Sequence, residues 1–374
     1  MTFKRAVLSL CIFFLFNFST TAAAPGQPGD VALTGPVVAF ETALADRIVL
    51  VDAITGARRD LRFDNRLHHV WDFSPDGCRV LFTLTEGDEP GRLYSARLDG
   101  SDMRDLVTGM EPGYGVFEAQ WSPDPANDRI AFTYYSTEDD GDGVPDHRIA
   151  WVPSSGGIPQ FYSVSGDEHT PRWSPDGRWL LYVAYDQSGD VSPVREADFW
   201  IVSADGATKY RLTNYPSGSV HSPRWSPDGD LIGFVYSPSP NADQFWMVGN
   251  APDAVPTQLS YQSVLTLDLT WLPDSTAMLT AARFIGGVET NTLWRIPLVG
   301  NADVDSTIFF QSPELIYPYA PRFSADGRWL AARSAYALAL VDMNTGQVRV
   351  LPESLGNTTP VWTPAAFVGE ANCA

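Results

Sequence analysis

Cations are scarce in this chain. It carries 25 Lys plus Arg against 45 Asp plus Glu over 374 residues, a formal charge of −20. That imbalance disfavours a nucleic-acid role, because duplex affinity comes largely from neutralising phosphates with clustered cations. The acidic field also repels anionic lipid and polyanionic substrates unless a local basic pocket overrides it. Cysteine is scarce too, with three residues. There is no Cys-x-x-Cys pair, no Gly-x-Ser-x-Gly elbow and no phosphate-binding glycine loop, so the common sequence signatures of redox, hydrolase and nucleotide chemistry are missing. Helical periodicity is missing throughout, and no apolar run of membrane-spanning length follows the first residues. What is abundant is apolar and aromatic side chain, at 44% and 12%, which excludes disorder for most of the length. The 30 Gly and 29 Pro imply frequent chain reversal, which suits short strands.

The start of the chain reads as an export signal. Lys4 and Arg5 precede the apolar stretch Ala6 to Phe18, and the small residues Ala22 and Ala24 stand just before Pro25. That apolar stretch is too short to span a bilayer comfortably and fits a cleaved signal peptide. The expected organisation is a signal peptide over 1–24, a short linker over 25–36 and one domain over 37–374, with an uncleaved anchor as the alternative. After cleavage no membrane span is expected. The mature protein is expected in a periplasm, at a cell surface or in the medium. Its two remaining cysteines, Cys78 and Cys373, form an even pair of the kind that is oxidised outside the cytosol.

A repeat runs through the mature chain. Phe73-Ser74-Pro75-Asp76-Gly77, Trp121-Ser122-Pro123-Asp124, Trp173-Ser174-Pro175-Asp176-Gly177 and Trp225-Ser226-Pro227-Asp228-Gly229 are copies, followed by the degenerate Trp271-Leu272-Pro273-Asp274 and Phe323-Ser324-Ala325-Asp326-Gly327, and by the fragment Trp362-Thr363-Pro364. The spacing is about 50 residues, the range of propeller and solenoid repeats. In each unit the aromatic ends a strand and Ser-Pro-Asp-Gly turns the chain, with Pro fixing φ and Gly accepting φ > 0. Three more short strands follow. Four antiparallel strands per unit is the arithmetic of a β-propeller blade. The N-terminal stretch from Val37 to Phe63 holds three strands of a unit without its turn motif, and Val361-Trp362 supplies the missing first strand. The expected fold is therefore all-β: a β-propeller of seven four-stranded blades, one of them a composite closed by both termini, or six if the composite does not form.

These motif residues resemble the TolB-type propeller repeat, which is related to the WD repeats. The resemblance covers nearly the whole mature chain and implies an interaction platform. TolB itself carries an additional N-terminal domain, for which there is no room between Ala24 and Val37. Peptidases with a similar propeller need a separate hydrolase domain, and here the blades consume the chain, which argues against a peptidase.

Four groups of residues are candidates for chemistry. Glu138, Asp140, Asp142, the Val144 carbonyl and Asp146 place oxygens at alternate positions around Gly143, as a calcium loop requires. They resemble the aspartate-rich calcium loops of thrombospondin type 3 and dockerin-like repeats. Position twelve is Ile149 rather than a bidentate Glu, and the alternative is a solvated acidic turn. His69, His169 and His221 each lie four residues before a repeat aromatic, near the mouth of the expected channel, where imidazoles could bind a transition metal. Phe117, Leu267 and Tyr319 occupy the same position in other units, so structural hydrogen bonding is the expected role. Arg172, Arg224 and Arg322 precede their aromatics, either as a basic ring for an anion or, as expected, paired with repeat aspartates. Cys78 and Cys373 fall on blades that neighbour each other in a closed ring, where a disulfide would reinforce closure.

The expected function is that of an exported, non-enzymatic, monomeric binding scaffold for a protein or cell-envelope macromolecule. Calcium is its expected cofactor and a transition metal is not expected. The rival is a metal-dependent, polysaccharide lyase-like enzyme using the channel histidines, as the seven-bladed oligogalacturonate lyases do.

Overall fold

The Ser-Pro-Asp-Gly segments fold as self-contained turns. The hydroxyls of Ser74, Ser174 and Ser226 donate to Asp76, Asp176 and Asp228 at 2.5, 2.6 and 2.5 Å. Each also accepts the N–H of the residue five positions on, and Ser324 repeats the pattern. The N–H of Gly77, Gly177, Gly229 and Gly327 closes each turn on the serine carbonyl. At φ from +68° to +79° these glycines adopt the left-handed region that a Cβ disfavours. The repeat aspartates are consumed by this turn chemistry.

The computed structural model describes residues 32–373 apart from 138–145, 163–166, 186–195, 241, 266–267, 282, 285–290, 336 and 352–358. The signal-peptide expectation over 1–24 and most of the calcium loop therefore lie outside the described residues. The described strands form seven antiparallel four-stranded sheets and one two-stranded ribbon, Val264–Leu265 with Arg283–Phe284. Blade 1 runs from Arg66 to Asp105, blade 2 from Tyr114 to Phe161, blade 3 from Glu168 to Arg211 and blade 4 from Ser219 to Gln258. Blade 5 runs from Leu269 to Gln311 and blade 6 from Tyr319 to Leu351. Blade 7 takes its inner strand, Val361–Trp362, from the C-terminal end and its other three, Val37–Glu41, Arg47–Asp52 and Arg58–Arg62, from the N-terminal end. Val38 pairs with Trp362 and Ala39 with Val361, and Val37 and Thr363 exchange two further hydrogen bonds.

Middle strands such as Val37–Glu41 are buried along their whole length, because a neighbouring blade covers each face. Seven apolar clusters result, one at each seam between consecutive blades, including the seams that blade 7 makes with blades 1 and 6. Phe82, Phe132, Phe199 and Phe234 are fully buried in them, each contributing about 2–3 kcal/mol of burial. Seven filled seams among seven blades leave no free sheet face, and the ring is closed. The protein is thus a seven-bladed β-propeller with a composite blade.

The tail beyond blade 7 braces that seam. Phe367 packs in the blade 7 and blade 1 cluster, Arg59 pairs with Glu370, and Cys78 is bonded to Cys373 with their Cα atoms 5.3 Å apart. No helix among the described residues is long and apolar enough to cross a membrane.

Candidate functional site

The inner strands carry a repeated irregularity. In blades 2, 3, 4 and 6 the pairing of first and second strands slips between Phe117 and Gln120, His169 and Arg172, His221 and Arg224, and Tyr319 and Arg322. Within each slip one non-glycine residue takes positive φ: Glu118 at 53°, Thr170 at 59°, Ser222 at 55° and Ala320 at 49°. Each such conformation costs about 1 kcal/mol or more and persists only where its surroundings enforce it. At Thr170 the enforcement is visible, since the Glu118 carboxylate accepts its N–H at 2.7 Å and its hydroxyl at 3.1 Å. A bulge re-aims the side chains that follow it.

The residue just before the aromatic then has two uses. In blades 1 and 2 it is short: Asp72 accepts the Trp121 N–H of the next blade at 3.0 Å and Gln120 accepts the Trp173 N–H at 2.8 Å. In blades 3, 4 and 6 it is arginine, and the backbone carbonyl takes over the blade-to-blade bond. Arg172, Arg224 and Arg322 accept the indole N–H of Trp225, Trp271 and Trp362 at 3.1, 2.9 and 2.9 Å. Their side chains are free to line the axial channel, where each donates to the carbonyl of the proline before it, at 2.8, 3.3 and 2.7 Å.

Arg224 and Arg322 do pair with an acid, but not with a turn aspartate as expected. Both reach Asp268, at 3.1 and 2.7 Å. The turn aspartates are held by their own serines and backbone N–H groups, whereas Asp268, 5% exposed, opens the inner strand of the blade between them. Among the described residues no carboxylate lies within 4 Å of the Arg172 guanidinium. Burial, and then the charge of Arg224, lower both Arg172 and Arg322 to about 10. Burial pushes the Asp72 carboxyl up to about 7 against its two backbone N–H bonds. These groups line an axial cavity of about 830 Å³, together with His69, Phe117, Tyr135 and Trp225.

The three repeat histidines each have separate partners, that of His69 lying on blade 7. His69 lies 3.4 Å from Glu41. His169 bonds Thr170 at 2.7 Å, and His221 bonds Ser222 and Ser237 at 3.1 and 3.2 Å. Burial lowers the pKa of His169 and of His221. Among the described residues, no three His, Cys, Asp or Glu side chains gather as a metal site would require. Sequence reasoning passed over His147, whose Nδ1 lies 2.6 Å from Asp167, a residue 4% exposed. Of the calcium candidates only Asp146 is described, and it is exposed; Glu138, Asp140, Asp142 and Val144 lie outside the described residues.

No family model matches the chain. It is 32% identical over 117 residues to the uncharacterized peptidase YuxL of Bacillus subtilis, a match spanning 31% of this chain and only 16% of that protein. Solved structures share the propeller. A puromycin hydrolase has a TM-score of 0.61 at 18% identity, over 89% of this chain and 55% of its own. An oligogalacturonate lyase in complex with manganese reaches 0.58 at 13% identity, over 86% of each chain. TolB from Acinetobacter baumannii reaches 0.51 at 15% identity, over 91% of this chain and 68% of its own. At these identities the likeness is one of fold, and that fold includes the TolB-type propellers.

Proposed function

We propose that the protein is an exported, non-enzymatic binding propeller that holds a protein or cell-envelope macromolecule over its channel mouth, with calcium bound by the loop from Glu138 to Asp146. The axial cavity is the observation that carries this reading. It presents fixed guanidiniums and aromatic faces, groups suited to gripping a ligand, on a ring closed at every seam and so able to serve as a rigid platform. Leu44 and Tyr317, 81% and 54% exposed, sit in loops that connect strands at the same end as His69 and add apolar contact there. The likeness in fold to TolB is consistent with a macromolecular partner.

The test is capture from a native envelope extract on immobilised protein, with and without a calcium chelator. The expected result is retention of a defined macromolecule, weakened by chelation and by Tyr317→Ala. Release of unsaturated uronate from an acidic polysaccharide by the purified protein, followed by ultraviolet absorbance and abolished in a His69, His169 and His221 triple alanine variant, would establish the lyase-like alternative instead.

A further inference from the structure

We infer that the axial channel is a carboxylate-binding site in which Arg172 and Arg224 grip the ligand's carboxylate. The inference rests on the binding-scaffold reading above and names the chemistry that the channel accepts.

Asp268 shows the pattern. Its two oxygens bridge Arg224 and Arg322, one oxygen to each guanidinium, charge-assisted contacts of the kind for which arginine is suited. Asp268 stands three residues before Trp271. The corresponding residue of blade 4, three before Trp225, is Ser222, whose hydroxyl is engaged with His221. Among the described residues, no carboxylate bridges Arg172 to Arg224 as Asp268 bridges Arg224 to Arg322. Among the described residues, the Arg172 guanidinium donates to the Pro171 carbonyl, and the buried Nε of Arg224 has no hydrogen-bond acceptor. Arg172, Arg224 and Arg322 face one shared cavity, and Asp268 bridges only the last two, so Arg172 has no carboxylate bound to it among the described residues.

Several features favour a carboxylate over a larger polyanion. The chain's acidic field opposes a highly charged ligand, and Asp72 and Glu118 line the same cavity, so one or two negative charges fit best. Phe117, Tyr135 and Trp225 in the cavity wall would cover an apolar or sugar-like body. The shared chemistry is a carboxylate, borne by a free organic acid or presented by the macromolecular partner.

The experiment titrates malonate into the purified full-length protein by calorimetry, with sulfate as a parallel probe. Binding of malonate in preference to sulfate is expected. Arg172→Gln should weaken it about tenfold to a hundredfold, the range of one charge-assisted contact, and Arg172→Lys should recover part of that loss. Circular dichroism and thermal melting establish that each variant is folded. If Arg172→Gln does not fold, Arg172→Lys alone carries the comparison, since it keeps the charge but not the fork. No malonate binding, binding unchanged in both variants, or a preference for sulfate would overturn the inference. Because this titration needs no partner, it fails or succeeds independently of envelope capture. If Arg172→Gln loses malonate but retains the captured partner, the carboxylate belongs to a free acid; if it loses both, the partner presents it.

Discussion

Opening the Cys78–Cys373 bond should destabilise the ring by an amount that follows from chain statistics. The bond joins residues 295 apart in sequence, and the loop-entropy relation for a closure of that size gives about 5–6 kcal/mol at 25 °C. The measured loss should be smaller, about 2–4 kcal/mol, because residual structure in the unfolded chain already restricts it. The native state keeps its non-covalent closure through the Val361–Trp362 strand, Phe367 and the Arg59–Glu370 pair. With an unfolding entropy of about 2.1 cal/mol/K per residue over roughly 340 residues, that loss lowers the melting temperature by about 3–6 °C. The assay is guanidinium unfolding followed by tryptophan fluorescence, comparing the native protein, the reduced protein and a Cys78→Ser, Cys373→Ser variant. Thiol alkylation and mass measurement report whether the bond is open. An unchanged midpoint in protein shown by alkylation to be reduced would refute the reasoning.

Three further outcomes are expected. Burial raises Asp72 to about 7, above its unfolded value near 4, so folding favours its protonated form; that stabilisation is complete below about pH 4 and is lost as pH rises through 7. In Asp72→Asn the stability measured by urea unfolding should vary less across that window, and an identical pH profile would contradict the assignment. Asp268→Asn leaves Arg224 and Arg322 without their shared acid and should cost about 3 kcal/mol, as loss of one partner from a buried ion pair does; a change within about 0.5 kcal/mol would show that solvent compensates both cations. Addition of calcium should raise the melting temperature of the native protein and not that of an Asp140→Asn, Asp142→Asn variant, and equal responses would remove the loop from the calcium assignment.

Blade number and topology were legible because the turn advertises itself. Ser, Pro, Asp and Gly each perform a separate local task there, so even the degraded copies at Trp271 and Phe323 stay readable. The composite blade was legible by subtraction, from three strands without a turn motif and a turn fragment without its strands. The channel chemistry was harder to read. Arg172, Arg224 and Arg322 share a repeat position, but Asp268 belongs to no motif and becomes their partner only through the curvature of blades 4 to 6. The bulges were hidden for a different reason, since Glu118, Thr170, Ser222 and Ala320 have no common side-chain character and take positive φ from tertiary constraint. His147 and Asp167 lie 20 residues apart, with nothing local to join them. The histidine register was visible in sequence, yet ring geometry holds equivalent residues of different blades apart, so repetition in the chain does not imply convergence in space.

The latch described for blade 7 also imposes an order of events. Residues near 37 find their inner neighbour only in residues near 361, so no nascent chain that stops short of Trp362 can seal the circle. A growing chain is held open by its own incompleteness until that strand is available. Formation of the Cys78–Cys373 bond then adds a covalent tie to a circle already sealed by hydrogen bonds and packing.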